Sequence, residues 1–245
     1  MPNYRRPAEL IVALDFARKD QAFQLVSQLE DLPVIYKVGF ELFMAGGPEF
    51  VRELVHRKCR VFLDLKFHDI PNTVAKAALQ AAMMHVEMFT LHLAGGSAMV
   101  RAVAHELEQI PALRPKILGV SVLTSFDDVR WAEVTKSLTN HASSVEESVL
   151  GLAVHAAGWG ADGIVCSAFE LEAIQEQSPG LYKVVPGIRP EGFESHDQAR
   201  VMTPVQARVA GADAIVMGRP ITQAKDPRQV AESVIKDLSV SAISA

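Results

Sequence analysis

Short apolar runs recur along the whole chain, and stretches with helical periodicity separate them. Most of these runs are continuously apolar rather than alternating, which is typical of strands buried on both faces. Eight of them are predicted to be strands: 10–16, 34–40, 60–66, 88–93, 116–123, 163–168, 182–188 and 214–218. The segments 21–30, 73–84 and 144–157, and a segment that begins at Pro227, carry apolar residues at helical spacing and are predicted to be helices.

Eight alternating strand and helix units without a break in composition favour one closed α/β domain, a single (β/α)8 TIM barrel over residues 1–245. The main alternative is a doubly wound open sheet. Such sheets usually carry a glycine fingerprint after the first strand, and here that strand ends in Ala-Leu-Asp-Phe. We expect loosely ordered ends at 1–9 and 239–245, and an extra helix or lid in the long gap 124–162.

Composition narrows the class of protein. Apolar residues make up 49% of the chain and charged residues 22%, which suits a folded protein with a large core. The net charge is −5 and no basic run occurs, so nothing resembles a nucleic-acid-binding face. The N-terminus lacks a secretory stretch, no window holds the roughly 18 apolar residues that span a bilayer, and Cys59 and Cys166 offer no disulfide framework. We therefore expect a cytoplasmic protein that binds neither nucleic acid nor a membrane.

Charged residues interrupt the third apolar run. Asp64 and Lys66 are two positions apart there, so strand alternation places them on the same side, and Asp69 follows shortly after. Burying such charges is costly unless they are paired, and the two preceding strands supply Asp15 and Lys37, so that the signs alternate. Because active sites of barrels lie at the carboxyl ends of the strands, we interpret this set as catalytic. A structural ion pair at a strand end is the alternative.

Glycine and arginine follow the seventh and eighth predicted strands. The loops after these two strands form the usual phosphate cradle of a barrel, where glycine lets backbone N–H groups approach and arginine adds a planar partner. Gly218 with Arg219 fits this pattern, and Gly187 with Arg189 fits it unless Arg189 is a surface residue. Gln198 could donate to the same phosphate or begin a helix.

Other patterns carry less information. Thr124 and Ser125 follow the fifth strand and suit hydrogen bonds to a ligand, although a plain turn would use them too. The histidines form no closely spaced pair with a third metal ligand nearby. A neutral helper or packing role suits His68 as well as catalysis does, and His92 suits a strand-end residue whose hydrogen bonds are satisfied. No nucleophile elbow, Walker loop or dinucleotide fingerprint occurs, so covalent catalysis by serine or cysteine has no local support.

Taken in order from residue 10 to 222, these motifs resemble the orotidine 5′-phosphate decarboxylase family in its bacterial form. The motifs are Ala13-Leu-Asp15, Lys37-Val-Gly39, Asp64-Leu-Lys-Phe-His-Asp-Ile-Pro-Asn-Thr-Val74, Val122-Leu-Thr-Ser125, Pro186-Gly-Ile-Arg189, Asp197-Gln198 and Val216-Met-Gly-Arg219. Two departures leave the charged set intact: Leu93 replaces an expected alanine, and Ser195-His196 stands where glycine is common.

The resemblance implies decarboxylation of orotidine 5′-monophosphate to UMP and carbon dioxide, the last step of de novo UMP biosynthesis, with no metal and no organic cofactor. Lys66 would protonate C6 of the pyrimidine, with Asp64 and Asp69 near the substrate carboxylate. Lys37 and Asp15 would hold the ribose hydroxyls and the charge network.

The resemblance also assigns the remaining contacts. The residues implied to bind substrate are Asp15, Lys37, Thr73, Thr124, Ser125, Pro186, Arg189, Gln198, Gly218 and Arg219. The family forms a homodimer, which implies that Asp69 and Thr73 reach into the partner's site.

Two alternatives to this activity remain open. Related barrels keep the Asp-x-Lys-x-x-Asp motif but act on sugar phosphates with a magnesium ion, as in hexulose-phosphate synthase or keto-gulonate-phosphate decarboxylase. The Leu-Thr-Ser and Pro-Gly-Ile-Arg runs favour the nucleotide. A non-catalytic nucleotide-binding barrel is the other alternative, and the presence of all five charged residues opposes it.

Overall fold

The strands of the protein close into a barrel in the order of the sequence. The computed structural model describes residues 7–190 and 202–239, and within them eight parallel strands pair in sequence, with β8 returning to β1. The strands are β1 (Glu9–Ala13), β2 (Val34–Val38), β3 (Arg60–Phe67), β4 (Met88–His92), β5 (Lys116–Val120), β6 (Gly163–Val165), β7 (Tyr182–Pro186) and β8 (Ala214–Met217). The predicted strands and the single (β/α)8 barrel are confirmed.

Helices connect the strands and cover the outside of the barrel. They are α1 (Lys19–Leu29), α2 (Phe40–His56), α3 (Pro71–Met83), α4 (Gly96–Glu108), α5 (Asp128–Thr139), α6 (Val145–Trp159), α7 (Leu171–Gln177), α8 (Pro204–Ala210), α9 (Arg219–Thr222) and α10 (Pro227–Ser239). The predicted helices correspond to α1, α3, α6 and α10, and α5 is the extra helix expected between the fifth and sixth strands. Of the helices described, none combines the length and the hydropathy that crossing a bilayer requires.

The barrel interior is layered because side chains two residues apart along a strand share a face. On β3, the side chains of Arg60, Phe62 and Asp64 are two residues apart and face the interior of the barrel. The middle layer is an apolar interior cluster, separate from the larger core between sheet and helices. Its members are Ile11, Ala13, Ile35, Phe62, Met88, Leu118, Val184, Ala214 and Val216. Charged groups therefore occur at both ends of the barrel, with an apolar layer between them.

An ion cluster occupies the amino ends of the strands. Arg60 donates two hydrogen bonds of 2.6 Å to Glu87, and its Nη2 atom lies 2.6 Å from Glu9. The Tyr182 hydroxyl donates to Glu9 at 2.5 Å, and the ammonium of Lys116 lies 3.4 Å from Glu87. Burial alone would raise the pKa of the Glu87 carboxyl, but Arg60 and Lys116 outweigh it and hold the pKa below its ordinary value.

The ends that the sequence predicts to be loosely ordered, 1–9 and 239–245, lie mostly outside the described residues. Glu9 begins β1, where its N–H donates to the carbonyl of Asp213, and Ser239 is the last residue of α10. Asp213 immediately precedes β8, so the hydrogen bond to Glu9 forms because the barrel closes between β8 and β1. Residues 1–6 and 240–245 lie outside the described ranges.

Candidate active site

Strand β3 leaves regular pairing where its charged residues lie. Leu63 pairs with Phe89 and Phe67 pairs with Leu91, so four steps along β3 match only two along β4. Inside this bulge, Lys66 has a φ of 45°, in the left-handed region that non-glycine residues rarely adopt. The simple alternation expected for this strand is therefore wrong in detail. The bulge nevertheless keeps Asp64 and Lys66 on the same side.

Four charged side chains form a continuous chain at the carboxyl ends of β1, β2 and β3. The Nζ atom of Lys37 lies 3.1 Å from Asp15 Oδ1 and 3.7 Å from Asp64 Oδ2, and the Nζ atom of Lys66 lies 2.8 Å from Asp64 Oδ1. The side chains of Lys37 and Asp64 are each 12% exposed, that of Lys66 is 29% exposed, and that of Asp15 is 61% exposed. The structure thus brings together these four predicted residues, with Asp64 compensated by two ammonium groups.

A cavity of about 140 Å³ opens beside these charges. Lys37, Asp64 and Lys66 line it together with Thr124 and Pro186. The rest of its wall is apolar and consists of Phe62, Val120, Val122, Leu123, Val165, Val184 and Val216. Apolar walls exclude water and strengthen the electrostatic interactions of the few charges present. The cavity therefore suits a small, mostly apolar group on which negative charge develops next to Lys66.

A larger cavity of about 320 Å³ adjoins the first. The two share Thr124 and Pro186, and Ser125 and Gly187 line the larger one. The loop after β5 and the end of β7 therefore bring three predicted contacts, Thr124, Ser125 and Pro186, to the edge of the charged cavity.

The structure relates the arginine and glycine residues after β7 and β8 to the charged chain only in part. Gly218 is the N-cap residue of α9, and a Cβ atom on it would lie 3.3 Å from Asp15 Oδ2, so the end of β8 lies against the charged chain. Arg219 is the first residue of α9. Arg189 donates from Nη1 to the carbonyl of Ile188 at 3.0 Å. Gln198 lies outside the described residues.

Asp69 and Thr73 are not brought to the charged chain within one molecule. Asp69 is exposed, and its Oδ1 atom accepts a hydrogen bond of 2.6 Å from the N–H of Ile70. Thr73 is exposed in the first turn of α3. Among the described residues, no ion pair joins Asp69 to Lys66.

Two histidines lie beside the charged chain. The rings of His68 and His92 are 5.3 Å apart between centroids. Burial, and to a lesser extent the neighbouring His68 and Lys66, lowers the pKa of the His92 imidazole. This direction favours the neutral form of a half-buried imidazole at the end of β4. In ranges 7–190 and 202–239, no group of three or more potential metal-binding side chains is arranged around a common point.

Thr90 is a residue of the site that the sequence pattern did not identify. It is fully buried on β4, and its hydroxyl contacts both Lys66 and Asp64. The only signal in the sequence is a single polar residue in an otherwise apolar run, two positions before His92 and therefore on the same face as His92.

The chain is similar to known proteins over most of its length. The family model described as "Orotidine 5'-phosphate decarboxylase / HUMPS family" matches residues 8–234. The orotidine 5′-phosphate decarboxylase of Legionella pneumophila (strain Corby) is 46% identical over 231 residues, which cover 94% of this chain and 99% of the relative. That of Pseudomonas fluorescens (strain Pf0-1) is 44% identical over 230 residues, covering 94% and 97%. The crystal structure of orotidine 5′-phosphate decarboxylase from Lactobacillus acidophilus has a TM-score of 0.82 and 36% identity, and the match covers 96% of this chain and all of that one.

Proposed function

Because the chain belongs to the orotidine 5′-phosphate decarboxylase / HUMPS family, we infer that it decarboxylates orotidine 5′-monophosphate to UMP and carbon dioxide. The observation that carries this inference is the chain of charges from Asp15 through Lys37 and Asp64 to Lys66 beside a largely apolar cavity. The relatives named above are decarboxylases of this nucleotide, which favours it over the sugar phosphates of the magnesium-dependent alternative.

The chemistry explains why an ammonium group is needed at this place. When the bond between C6 and the substrate carboxylate breaks, its electron pair stays on C6, and no adjacent π system accepts it. We assign Lys66 to stabilise that charge and then to transfer a proton from Nζ to C6, after which solvent recharges the amine. Fixed charges that face the developing charge usually make the largest catalytic contribution. Here the ammonium of Lys66 is held by a hydrogen bond of 2.8 Å to Asp64 Oδ1.

Lys37 and Asp64 complete the electrostatic arrangement. Asp64 faces ammonium groups on both sides, so its charge is compensated before substrate arrives. We assign Asp64 and Asp69 to the surroundings of the substrate carboxylate, and Lys37 with Asp15 to the ribose hydroxyls. The partial exposure of Asp15, in contrast to Asp64, is consistent with a place at the open side of the site.

The remaining predicted residues are assigned to binding. Thr124, Ser125 and Pro186 border the two cavities and would contact the base. Gly218 lies against Asp15, which is assigned to the ribose hydroxyls. Its position therefore supports the assignment of Gly218 to the phosphate next to the ribose. The residues assigned to the phosphate are Arg189, Gln198, Gly218 and Arg219. Binding energy from this remote group can lower the barrier at C6 if it is realised in the transition state.

A homodimer accounts for Asp69 and Thr73. Both are exposed where β3 passes into α3. Exposed apolar side chains lie beside them and on the preceding connection: Ile70 next to Asp69, and Phe40 and Met44 on α2, between β2 and β3. Exposed apolar groups that cluster on neighbouring elements are typical of surfaces that contact another protein. We assign this side of the barrel to the dimer interface, across which Asp69 and Thr73 would reach the partner's site.

The experiment that tests the activity is the ultraviolet absorbance change of orotidine 5′-monophosphate with purified protein in excess EDTA. Rapid conversion to UMP supports a decarboxylase that needs no divalent metal. Failure to convert the nucleotide, with folded protein, would contradict the inference, and sugar phosphates with added magnesium would then be the next substrates to assay.

A further inference from the structure

The hydroxyl of Thr90 joins the two central residues of the charged site. Its Oγ1 atom accepts a hydrogen bond of 2.8 Å from the backbone N–H of Lys66 and donates one of 2.9 Å to Asp64 Oδ1. Thr90 is fully buried and lines neither cavity beside the site. A residue in this place can act on the reaction only through its neighbours.

The first of these hydrogen bonds replaces a missing backbone contact. The bulge puts three residues of β3, from Asp64 to Lys66, opposite the single residue Thr90 of β4. The N–H of Lys66 therefore finds a side-chain hydroxyl where a regular ladder would offer a carbonyl. Since Lys66 has a left-handed φ that is unfavourable for a lysine, this bond holds the backbone turn from which the side chain projects.

The second hydrogen bond sets the rotation of a carboxylate. Oδ1 of Asp64 accepts from both Thr90 and the ammonium of Lys66, while Oδ2 faces Lys37 at 3.7 Å. Without the Thr90 hydroxyl, Oδ1 would lose one of its two donors, and the carboxylate could turn toward Lys37. One buried hydroxyl thus controls both the backbone that carries Lys66 and the anion that holds its ammonium.

We propose that Thr90 is a positioning residue, which fixes the ammonium of Lys66 relative to the reacting carbon by bridging the Lys66 N–H and the Asp64 carboxylate. The proposal rests on the function inferred above. A displaced proton donor reduces the stabilisation of the transition state more than it reduces the binding of the nucleotide. The proposal therefore predicts a fall in kcat with little change in KM.

The test compares Thr90→Val, which keeps the branched shape without the hydroxyl, with Thr90→Ser, which keeps the hydroxyl. We expect Thr90→Val to lower kcat by about 10- to 100-fold while KM and the affinity for UMP change less than about threefold. Thr90→Ser should restore most of kcat. Ser178→Ala is the control, since it removes a half-buried hydroxyl that donates to the carbonyl of Ala153 on α6, and neither residue lines the two cavities. Its kcat should stay within about threefold of wild type.

Amide hydrogen exchange separates this proposal from the proposed function. The Lys66 amide, followed by NMR, should exchange faster in Thr90→Val than in wild type or Thr90→Ser, whether or not the protein turns over the nucleotide. Unchanged Lys66 exchange, an unchanged kcat in Thr90→Val, or no rescue by serine would overturn the role of Thr90. Inert wild-type protein with altered Lys66 exchange in Thr90→Val would instead contradict the proposed function and with it the catalytic part of the proposal.

Discussion

The ammonium of Lys66 lies 2.8 Å from the carboxylate of Asp64, and both residues belong to one short bulge in a single strand. The bulge, together with the hydroxyl of Thr90, therefore brings the two charges together within the protein itself. Groups fixed in this way need little rearrangement when charge develops at the reacting carbon.

Removal of the proposed proton donor should stop the reaction without preventing binding. We expect Lys66→Ala to lower kcat by about 10³-fold or more, because it removes both the stabilising charge and the proton. The dissociation constant of UMP, measured by calorimetry, should change by less than about tenfold. Near-normal decarboxylation by this variant would contradict the assignment of Lys66.

Mixed inactive variants should recover activity if sites are shared between subunits. Lys66→Ala and Asp69→Ala are each expected to be inactive alone. After joint refolding or coexpression, a hybrid dimer would hold one site with both native residues, so a statistical mixture should reach about a quarter of wild-type activity.

The control for this experiment pairs Lys66→Ala with Asp64→Ala. These residues touch within one chain, so the hybrid has no intact site and should remain inactive. A mixture of Lys66→Ala and Asp69→Ala that also stays inactive, although hybrid dimers are present by native mass spectrometry, would place Asp69 outside the partner's site.

Loss of the arginine after β8 should harm only substrates that carry a phosphate. We expect Arg219→Ala to reduce kcat/KM for the nucleotide by about 10- to 100-fold, as expected for the loss of a charge-assisted hydrogen bond. The slow reaction of the phosphate-free nucleoside orotidine should be unchanged. Arg228→Ala is the control, because Arg228 pairs with Asp31 on the outer helices. Equal damage to both substrates would show that Arg219 does not bind phosphate.

The ion cluster at the amino ends of the strands should affect stability and its pH dependence. Arg60 and Lys116 overcome the effect of burial and lower the pKa of Glu87, so the ionised carboxylate stabilises the folded state above its ordinary pKa. That stabilisation is lost as the pH falls through the lowered value. We expect Glu87→Gln to reduce the free energy of unfolding by about 1 to 3 kcal/mol at pH 7, and the difference from wild type to shrink in acid.

Denaturant unfolding across pH measures this difference. Glu53→Gln is the control, since Glu53 forms an exposed pair with Arg57 one helical turn away and should cost about 0.5 kcal/mol or less. The kcat of Glu87→Gln should equal that of wild type below its unfolding transition. A difference from wild type that grows toward acid would contradict the stabilising role of the ionised form.

Much of the fold and the site follows from local sequence patterns. Continuous apolar runs identify strands buried on both faces, and charges inside such runs identify Asp64 and Lys66, because burial makes unneeded charges costly. The bulge that aims Lys66 depends on the register of β3 against β4, which the sequence of one strand does not contain. The role of Thr90 depends on the same register, so the sequence of β4 alone does not reveal it.

Other features depend on contacts that a single segment cannot specify. Glu9 is ordered because barrel closure brings the carbonyl of Asp213 to its N–H from the far end of the chain. Asp69 and Thr73 are exposed in one copy of the chain, so their predicted part in the site depends on a second copy. Their roles remain predictions that the hybrid experiment tests.

The apolar layer inside the barrel has a consequence for traffic through the enzyme. Its side chains are each at most 8% exposed and separate the charged site from the ion cluster at the opposite end. If Lys66 is the proton donor, as proposed, the nucleotide, the carbon dioxide and the proton that recharges it would therefore all use the opening at the carboxyl ends of the strands. Anything that covered this opening during the reaction would block nucleotide, carbon dioxide and proton at the same time. A single opening step would then release the products and allow the proton donor to be reprotonated.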